Sequence, residues 1–382
     1  MRKLRKLARD PKKFYRDARR IREIKKSCKQ FEGFFNNVIA LGVNEHQQIY
    51  FDKFFPEKNI IFLPVDVFKK FRKYFLSRRV SPNFVVSWGH RANEDLEAFV
   101  RSKDIEFIRC EDGYLHSVSS NSRRLPPISV CFDKTGIYYN SRKPSDLETL
   151  LNTYDFNNDK KIETTAKKYL QVIKDTGLSK YNNPENAEVS GYGLKTKRRV
   201  LIIGQVARDA SIVYGCEKKY SYQDIIDLVY SENPEAEIIY RPHPYVLRDK
   251  PTHADEINTH NGAVKIVSNS VSLKASLDGV DHVYTISSLA GFEALVRGVK
   301  VTCLGAPFYS GWGLTDDRQK VARRTRKLTI EQVFACAYIL YPKYYDINSF
   351  KEVSLGDAVE SMVKQLNEVK AISSEPIKKV AK

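Results

Sequence analysis

The chain is predicted to be an α/β protein built as two Rossmann-like domains in series. Three observations support this. Short apolar runs alternate with helical patterns, this alternation occurs twice, and a polar segment separates the two sets. The length of 382 residues exceeds one ordinary core and suits two domains of typical size. A hydrophobic fraction of 42%, with 22 Tyr and 20 Phe, supplies apolar surface for both.

In the first set, "NNVIALGV" (36–43), "NIIFLPV" (59–65), "NFVVSWG" (83–89) and "IEFIRC" (105–110) read as buried strands. "DVFKKFRKYFLS" and "ANEDLEAFVRS" between them read as helices, so the sheet is expected to be parallel and covered on both faces. "ISVCFDKTGIYYN" (128–140) predicts a hairpin turning at Lys134-Thr135-Gly136. Two helices follow, over 145–153 and 160–176. The Asn-, Gly- and Pro-rich stretch after them reads as a linker. Alternation resumes with strands at 198–205, 236–244, 281–288 and 299–305, and final helices over 329–341 and 355–370. The expected domains are a basic arm (1–30), a first Rossmann-like domain (31–180), a linker (181–197), a second Rossmann-like domain (198–345) and a C-terminal helix and tail (346–382).

The charge is uneven. Residues 1–30 carry 14 Lys/Arg against three acids, a net +11 of the chain's +18. Nucleic-acid binding would need that excess spread over a folded face, so it is set aside. Leu4, Leu7, Phe14, Ala18 and Ile21 fall at helical spacing among the basic residues. This suits either an anionic membrane face or a solvated helix packed on its own domain. No apolar run spans a bilayer and no apolar signal core opens the chain, so a cytoplasmic protein is expected. Six cysteines without a C-x-x-C pair fit a reducing compartment and leave only carboxylates for any metal.

Four strands end in reactive groups: Glu111-Asp112-Gly113, Asp209 and Ser211 in "VARDAS", Arg241-Pro242-His243-Pro244, and Ser287-Ser288. In open α/β sheets ligands collect at such carboxyl ends, here in an expected cleft between two domains. One of the two serines is expected to cap the helix "LAGFEALVR", whose N-terminus suits an anion. Gly291 would allow close approach of a ligand or packing of the helix on the sheet. Glu293 would accept from ribose hydroxyls or remain a surface acid. Arg241, His243 and His90 would bring positive charge. There is no G-x-G-x-x-G, no P-loop and no Asp-x-Asp metal pair, so the expected leaving group bears one phosphate and needs no metal or other cofactor. Carboxylates at Glu111, Asp112 and Asp209 fit glycosyl transfer with retention.

The segments "VSWGHRAN", "EDGYLHSV", "PPISVCFDKTGIYYN", "LSKYN", "GQVARDASIVYG", "RPHP" and "SLAGFEALVRGVKVTCLGAPFYSGWGLTDD" resemble the retaining β-Kdo transferases of bacterial capsule synthesis. The resemblance is to one module of the dual-module linker enzyme in particular. It implies a GT-B-like fold, CMP-Kdo as donor and a covalent Kdo adduct on Asp209. It also implies Glu111 as acid/base, Asp112 as its orienting partner, His243-Pro244 and Ser287-Ser288 at the CMP phosphate, and Glu293 at the nucleotide. His90, His116 and Ser211 would touch the sugar carboxylate or the acceptor. His116 stands where many members have Arg, and "SSNSRRL" replaces a Gly-rich turn, with Arg123 and Arg124 placed to compensate. The implied acceptor is a capsule or related surface glycan or glycolipid. The implied location is the cytoplasmic face of the inner membrane, reached through the basic arm, with other capsule-synthesis proteins as partners. Two other readings are a CMP-sialic acid donor and a non-catalytic capsule-assembly scaffold.

Overall fold

A computed structural model of the protein describes residues 36–77, 80–119, 125–183, 192–243, 246, 256–267 and 271–374, with scattered positions before residue 36. Most of the basic arm, Arg123, Arg124, the centre of the expected linker (184–191) and Pro244 lie outside the described residues. The chain divides into two compact units, Met1–Glu111 and Asp112–Lys382.

The first unit holds strands β1 (Asn37–Leu41), β2 (Asn59–Leu63), β3 (Pro82–Trp88) and β4 (Glu106–Asp112), parallel and ordered β4–β3–β1–β2. Helices α1 (Glu45–Phe51), α2 (Val65–Phe75) and α3 (Glu94–Arg101) connect them, two opened by an Asn cap, Asn44 and Asn93. Every residue of β1 is buried, as a central strand with both faces covered requires. Buried Arg109 pairs with Glu97 at 2.5 Å and donates to the carbonyls of Gly89 (2.8 Å) and Ala92 (3.1 Å). That clamp shapes the turn carrying His90 at the end of β3.

The second unit opens with β5 (Ser117–Val118), β6 (Ser129–Asp133), helices α4 (Asp146–Thr153) and α5 (Lys160–Thr176), and β7 (Tyr181–Asn182), which pairs in parallel with β5. Its main sheet comprises β8 (Arg199–Ile203), β9 (Glu237–Arg241), β10 (Val264–Ile266), β11 (His282–Thr285), β12 (Lys300–Cys303) and β13 (Asp316–Asp317). All six are parallel, in the order β10–β9–β8–β11–β12–β13. Counted along the chain this is 3-2-1-4-5-6, the order of a Rossmann sheet. Helices α6 (Ala210–Gly215), α7 (Tyr222–Glu232), α8 (Leu273–Leu277) and α9 (Leu289–Val296) alternate with the strands. After α10 (Ile330–Phe334) and a π-helical turn, β14 (Pro342–Tyr345) pairs antiparallel with β6, then with β15 (Glu352–Val353), before α11 (Leu355–Ser374). Among the described residues no helix is long and apolar enough to cross a membrane.

The α/β class, the parallel run β4–β3–β1–β2 and the six-stranded parallel sheet follow the sequence pattern, but the hairpin at 128–140 does not form. Asp133 Oδ1 accepts the N–H groups of Thr135 (3.0 Å) and Gly136 (2.6 Å), and its Oδ2 accepts that of Asp146 (3.0 Å). One carboxylate thus folds the turn onto the start of α4. Ile137 and Tyr139 are drawn into the core, and the antiparallel partner of β6 comes from β14.

Glu148 on α4 holds a distant loop in the same way. It accepts from Arg323 Nε at 2.6 Å and from Arg324 Nε at 3.2 Å, while Arg324 also donates to the carbonyls of Pro307 (2.5 Å) and Ser310 (2.8 Å). Glu148 and Arg324 are both buried. Removing the acid strands a buried guanidinium, a change that costs about 3–5 kcal/mol. We predict that Glu148→Ala lowers the free energy of unfolding by that amount, read from a denaturant titration. A loss under about 1 kcal/mol would show that the loop is held by its carbonyl contacts alone.

Candidate active site

The topological switch point of the second sheet lies between β8 and β11, where the connections run in opposite directions and leave a crevice at the carboxyl ends. The loop after β8 carries Gln205 to Asp209, and the loop after β11 carries Ser287 and Ser288. Asp209 is the N-cap of α6 and is exposed. Its Oδ1 accepts from Ser211 N (2.8 Å) and Ser211 Oγ (2.7 Å); Oδ2 accepts none among the described residues. Ser287 Oγ donates to Ser211 Oγ at 3.1 Å. Behind them Gln205 Oε1 takes Ser287 N (2.8 Å) and Thr285 Oγ1 (3.2 Å), and its amide reaches Ser287 Oγ at 3.4 Å. From the Gln205 amide through Ser287 Oγ to Ser211 Oγ, each donor points on toward Asp209. The structure therefore joins Asp209, Ser211 and Ser287. Gln205 and Thr285, which the sequence pattern gives no reason to single out, hold them; the only signal is a polar residue at the end of a buried strand.

Ser288 caps α9. Its Oγ accepts from Ala290 N at 3.2 Å, and its carbonyl accepts from Tyr309 Oη at 2.5 Å. No described residue takes its hydroxyl proton, which can serve a ligand at the positive helix end. Gly291 serves packing, since a Cβ there would run into Tyr309 Oη and approach Thr285 Cγ2 at 3.0 Å. At the end of β9, Arg241 donates to Ser272 O (3.1 Å), Val271 O (2.9 Å) and Ser276 Oγ. Its guanidinium thus ties the start of α8 to the sheet. Half-buried His243 follows, its carbonyl taken by Val246 N at 2.9 Å.

Glu293 lies inward, only 3% exposed. It accepts from Ser179 Oγ at 2.7 Å and from the N–H of Lys180. Among the described residues its Oε2 and Arg297 Nη2 have no hydrogen-bond partner. Burial raises its pKa to about 7, against the pull of Arg297, the Ser179 bond and Arg241. The segment it grips is "LSKYN". Lys180 O accepts from His116 N at 3.0 Å, and Lys180 Nζ reaches Asp112 O at 3.5 Å. Asn182 Nδ2 donates to Ser117 O (3.0 Å) and Ser179 O (2.8 Å). Asp112 Oδ2 stands 3.7 Å from His116 Nε2. His116 is 4% exposed, and burial lowers its pKa despite that neighbour. Gly113 is required here, because a Cβ would collide with Ser129 Oγ and approach Ser129 Cβ at 2.7 Å.

In the first unit Glu111, next to the last residue of β4, is half-buried, with Trp88 Nε1 donating to its Oε1 at 3.0 Å. His90 is half-buried in the turn after β3.

The model of the family described as "Capsule polysaccharide biosynthesis protein" matches residues 83–195 and 179–344. The lipopolysaccharide-processing protein LpsZ of Rhizobium meliloti is 42% identical over 292 residues, 76% of this chain and 66% of that protein. The capsule polysaccharide modification protein LipA of Neisseria meningitidis serogroup A is 34% identical over 285 residues, 74% of this chain and 40% of that protein. This chain therefore spans under two thirds of each curated relative. Among solved structures, Thermosulfurimonas dismutans KpsC, beta Kdo 2,4 transferase, is similar at TM-score 0.72 and 29% identity, covering 86% of this chain and 98% of that one. The beta Kdo 2,7 transferase of the same organism's KpsC is similar at TM-score 0.67 and 27% identity, covering 86% and 99%. The GT-B-like α/β fold expected from the sequence agrees with these likenesses.

The buried acid gives a pH prediction. Because the folded-state pKa of Glu293 is raised, to about 7, its contribution to stability is complete below about pH 4.3. That contribution is lost as pH rises through about 7. The melting temperature of the wild type should therefore fall relative to Glu293→Gln across that window. A constant difference between the two would mean that the acid titrates normally.

Proposed function

Because the chain belongs to the capsule polysaccharide biosynthesis protein family, we propose that it is a glycosyltransferase that moves Kdo from CMP-Kdo to a surface-glycan acceptor with retention. The observation that carries this reading is Asp209, exposed at the switch point with Oδ1 engaged by Ser211. The likeness to the beta Kdo 2,4 and beta Kdo 2,7 transferases of KpsC supports Kdo as the group transferred.

On this reading the phosphate of CMP lies against Ser288 at the start of α9, beside Ser287 and near His243. Asp209 Oδ2 attacks the anomeric carbon, the bond to the phosphate oxygen breaks, and the electron pair leaves with CMP. An acceptor hydroxyl then displaces the carboxylate while its proton passes to Glu111, and two inversions give net retention. Asp112 orients that acid/base. Arg241 contributes by fixing the end of β9. A single phosphate bound by hydroxyls and a helix end requires no divalent ion, so turnover should survive EDTA. Attachment of the basic arm to an anionic membrane face belongs to the same proposal, as do a glycan or glycolipid acceptor and other capsule-synthesis proteins as partners.

Asp209→Asn tests the reading, since Asn caps a helix as well as Asp and so preserves the fold. Transfer from CMP-Kdo should fall at least about 1,000-fold with an unchanged melting curve. In the wild type with a slow acceptor, mass spectrometry should place one added Kdo on the peptide containing Asp209. Full turnover by Asp209→Asn, or the sugar on another peptide, would remove the nucleophile. CMP release from CMP-sialic acid instead of CMP-Kdo would change the donor.

A further inference from the structure

We infer that Tyr181 and Lys180 form an acceptor subsite for a pyranose ring bearing a carboxylate, beside Asp112. The inference rests on the transferase reading and adds the residues that select the acceptor.

Tyr181 is 49% exposed, whereas every neighbour that holds it is buried or half-buried. It sits on β7, paired with Ser117 of β5. Its ring packs on that of buried His116, with centroids 5.2 Å apart and planes at 48°. The ring is thus backed on the protein side and presented to solvent. Such a surface suits the C–H-bearing face of a sugar, because the π face is negative and the ring loses little freedom on contact. Lys180 Nζ lies 5.7 Å from the same ring centroid and 3.5 Å from Asp112 O. A cation over the ring adds charge selectivity for an anionic sugar.

The segment is also pre-organised. Glu293 holds Ser179 Oγ and Lys180 N from below, and Asn182 ties Ser179 to Ser117. A subsite held at both ends pays less ordering entropy on binding. Besides Glu293, the bonds of the segment run to Asp112, His116 and Ser117. Asp112 partners the acid/base on the transferase reading, and its nearness assigns the patch to the acceptor. The position expected from the sequence to touch the sugar, His116, acts instead as the backing of Tyr181.

Steady-state kinetics on the full chain with CMP-Kdo tests this, using the methyl glycoside of Kdo and its carboxamide as acceptors. Tyr181→Ala should raise the acceptor KM about tenfold while the donor KM stays at the wild-type value, and Tyr181→Phe should restore it. Lys180→Met should raise the KM of the carboxylate acceptor and leave that of the carboxamide unchanged. An unchanged acceptor KM in Tyr181→Ala, a shift in donor KM instead, or an equal effect of Lys180→Met on both acceptors would overturn the subsite. If the wild type releases no CMP from CMP-Kdo, the transferase reading fails. Saturation-transfer NMR of the same glycosides on wild type and Tyr181→Ala then still decides: equal signals reject the subsite, and a signal lost with the ring supports it.

Discussion

Inside the second unit, rings from four separate loops and helices pack on one another, and the polar loops of the site hang from that contact. Tyr114 lies 4.7 Å from Phe308 and 5.0 Å from Tyr338, and Phe292 lies 5.3 Å from Phe308 and 5.7 Å from Tyr338. Tyr114 follows the Glu-Asp-Gly run, Phe292 precedes Glu293 on α9, and Phe308 begins the loop that Arg324 and Glu148 anchor. Rings of this size bury large apolar areas and prefer stacked or tilted geometries, both present here, so the cluster fixes how its attached loops pack. Gly113 and Gly291 follow from it, because both stand where a Cβ would force the loops apart.

The carboxylates of the region differ by burial. Asp209 is in water at the mouth of the switch point, with one oxygen occupied by Ser211. Glu293 is sealed beneath α9 and braces a loop. Asp133 is also buried, its pKa raised to about 6 by that burial, and it shapes a turn. The same functional group therefore stands open to solvent, braces a loop or forms a turn according to the dielectric around it and the donors it meets. Glu293 is an acid with a raised pKa beside the candidate site, and it holds a neighbouring loop. Its strong hydrogen bonds run to the chain that carries Lys180 and Tyr181.

The switch-point geometry explains why Asp209 and Ser287, far apart in the chain, share hydrogen bonds. Central strands β8 and β11 are neighbours, so the loops leaving them must meet. Gln205 exploits this adjacency by bridging both loops from the floor of the crevice. Arg241, one strand away, spends its donors on the carbonyls that open α8 and thereby sets the start of the segment containing His243.

The amino-acid pattern alone determined the two alternating sheets, the strand ends that carry Asp209, Glu111 and the serine pair, and the helix start at Ser288. These depend on periodicity and capping, which act over a few residues. The pattern could not foresee that Asp133 would close a turn rather than a hairpin, since the competing strand β14 arrives from a remote part of the chain. Only the tertiary structure decided which polar residues face inward: His116, Arg241 and Glu293 were drawn under cover while Tyr181 was left in solvent. Burial is set by neighbours distant in sequence, and a side chain's identity does not encode what will be packed against it.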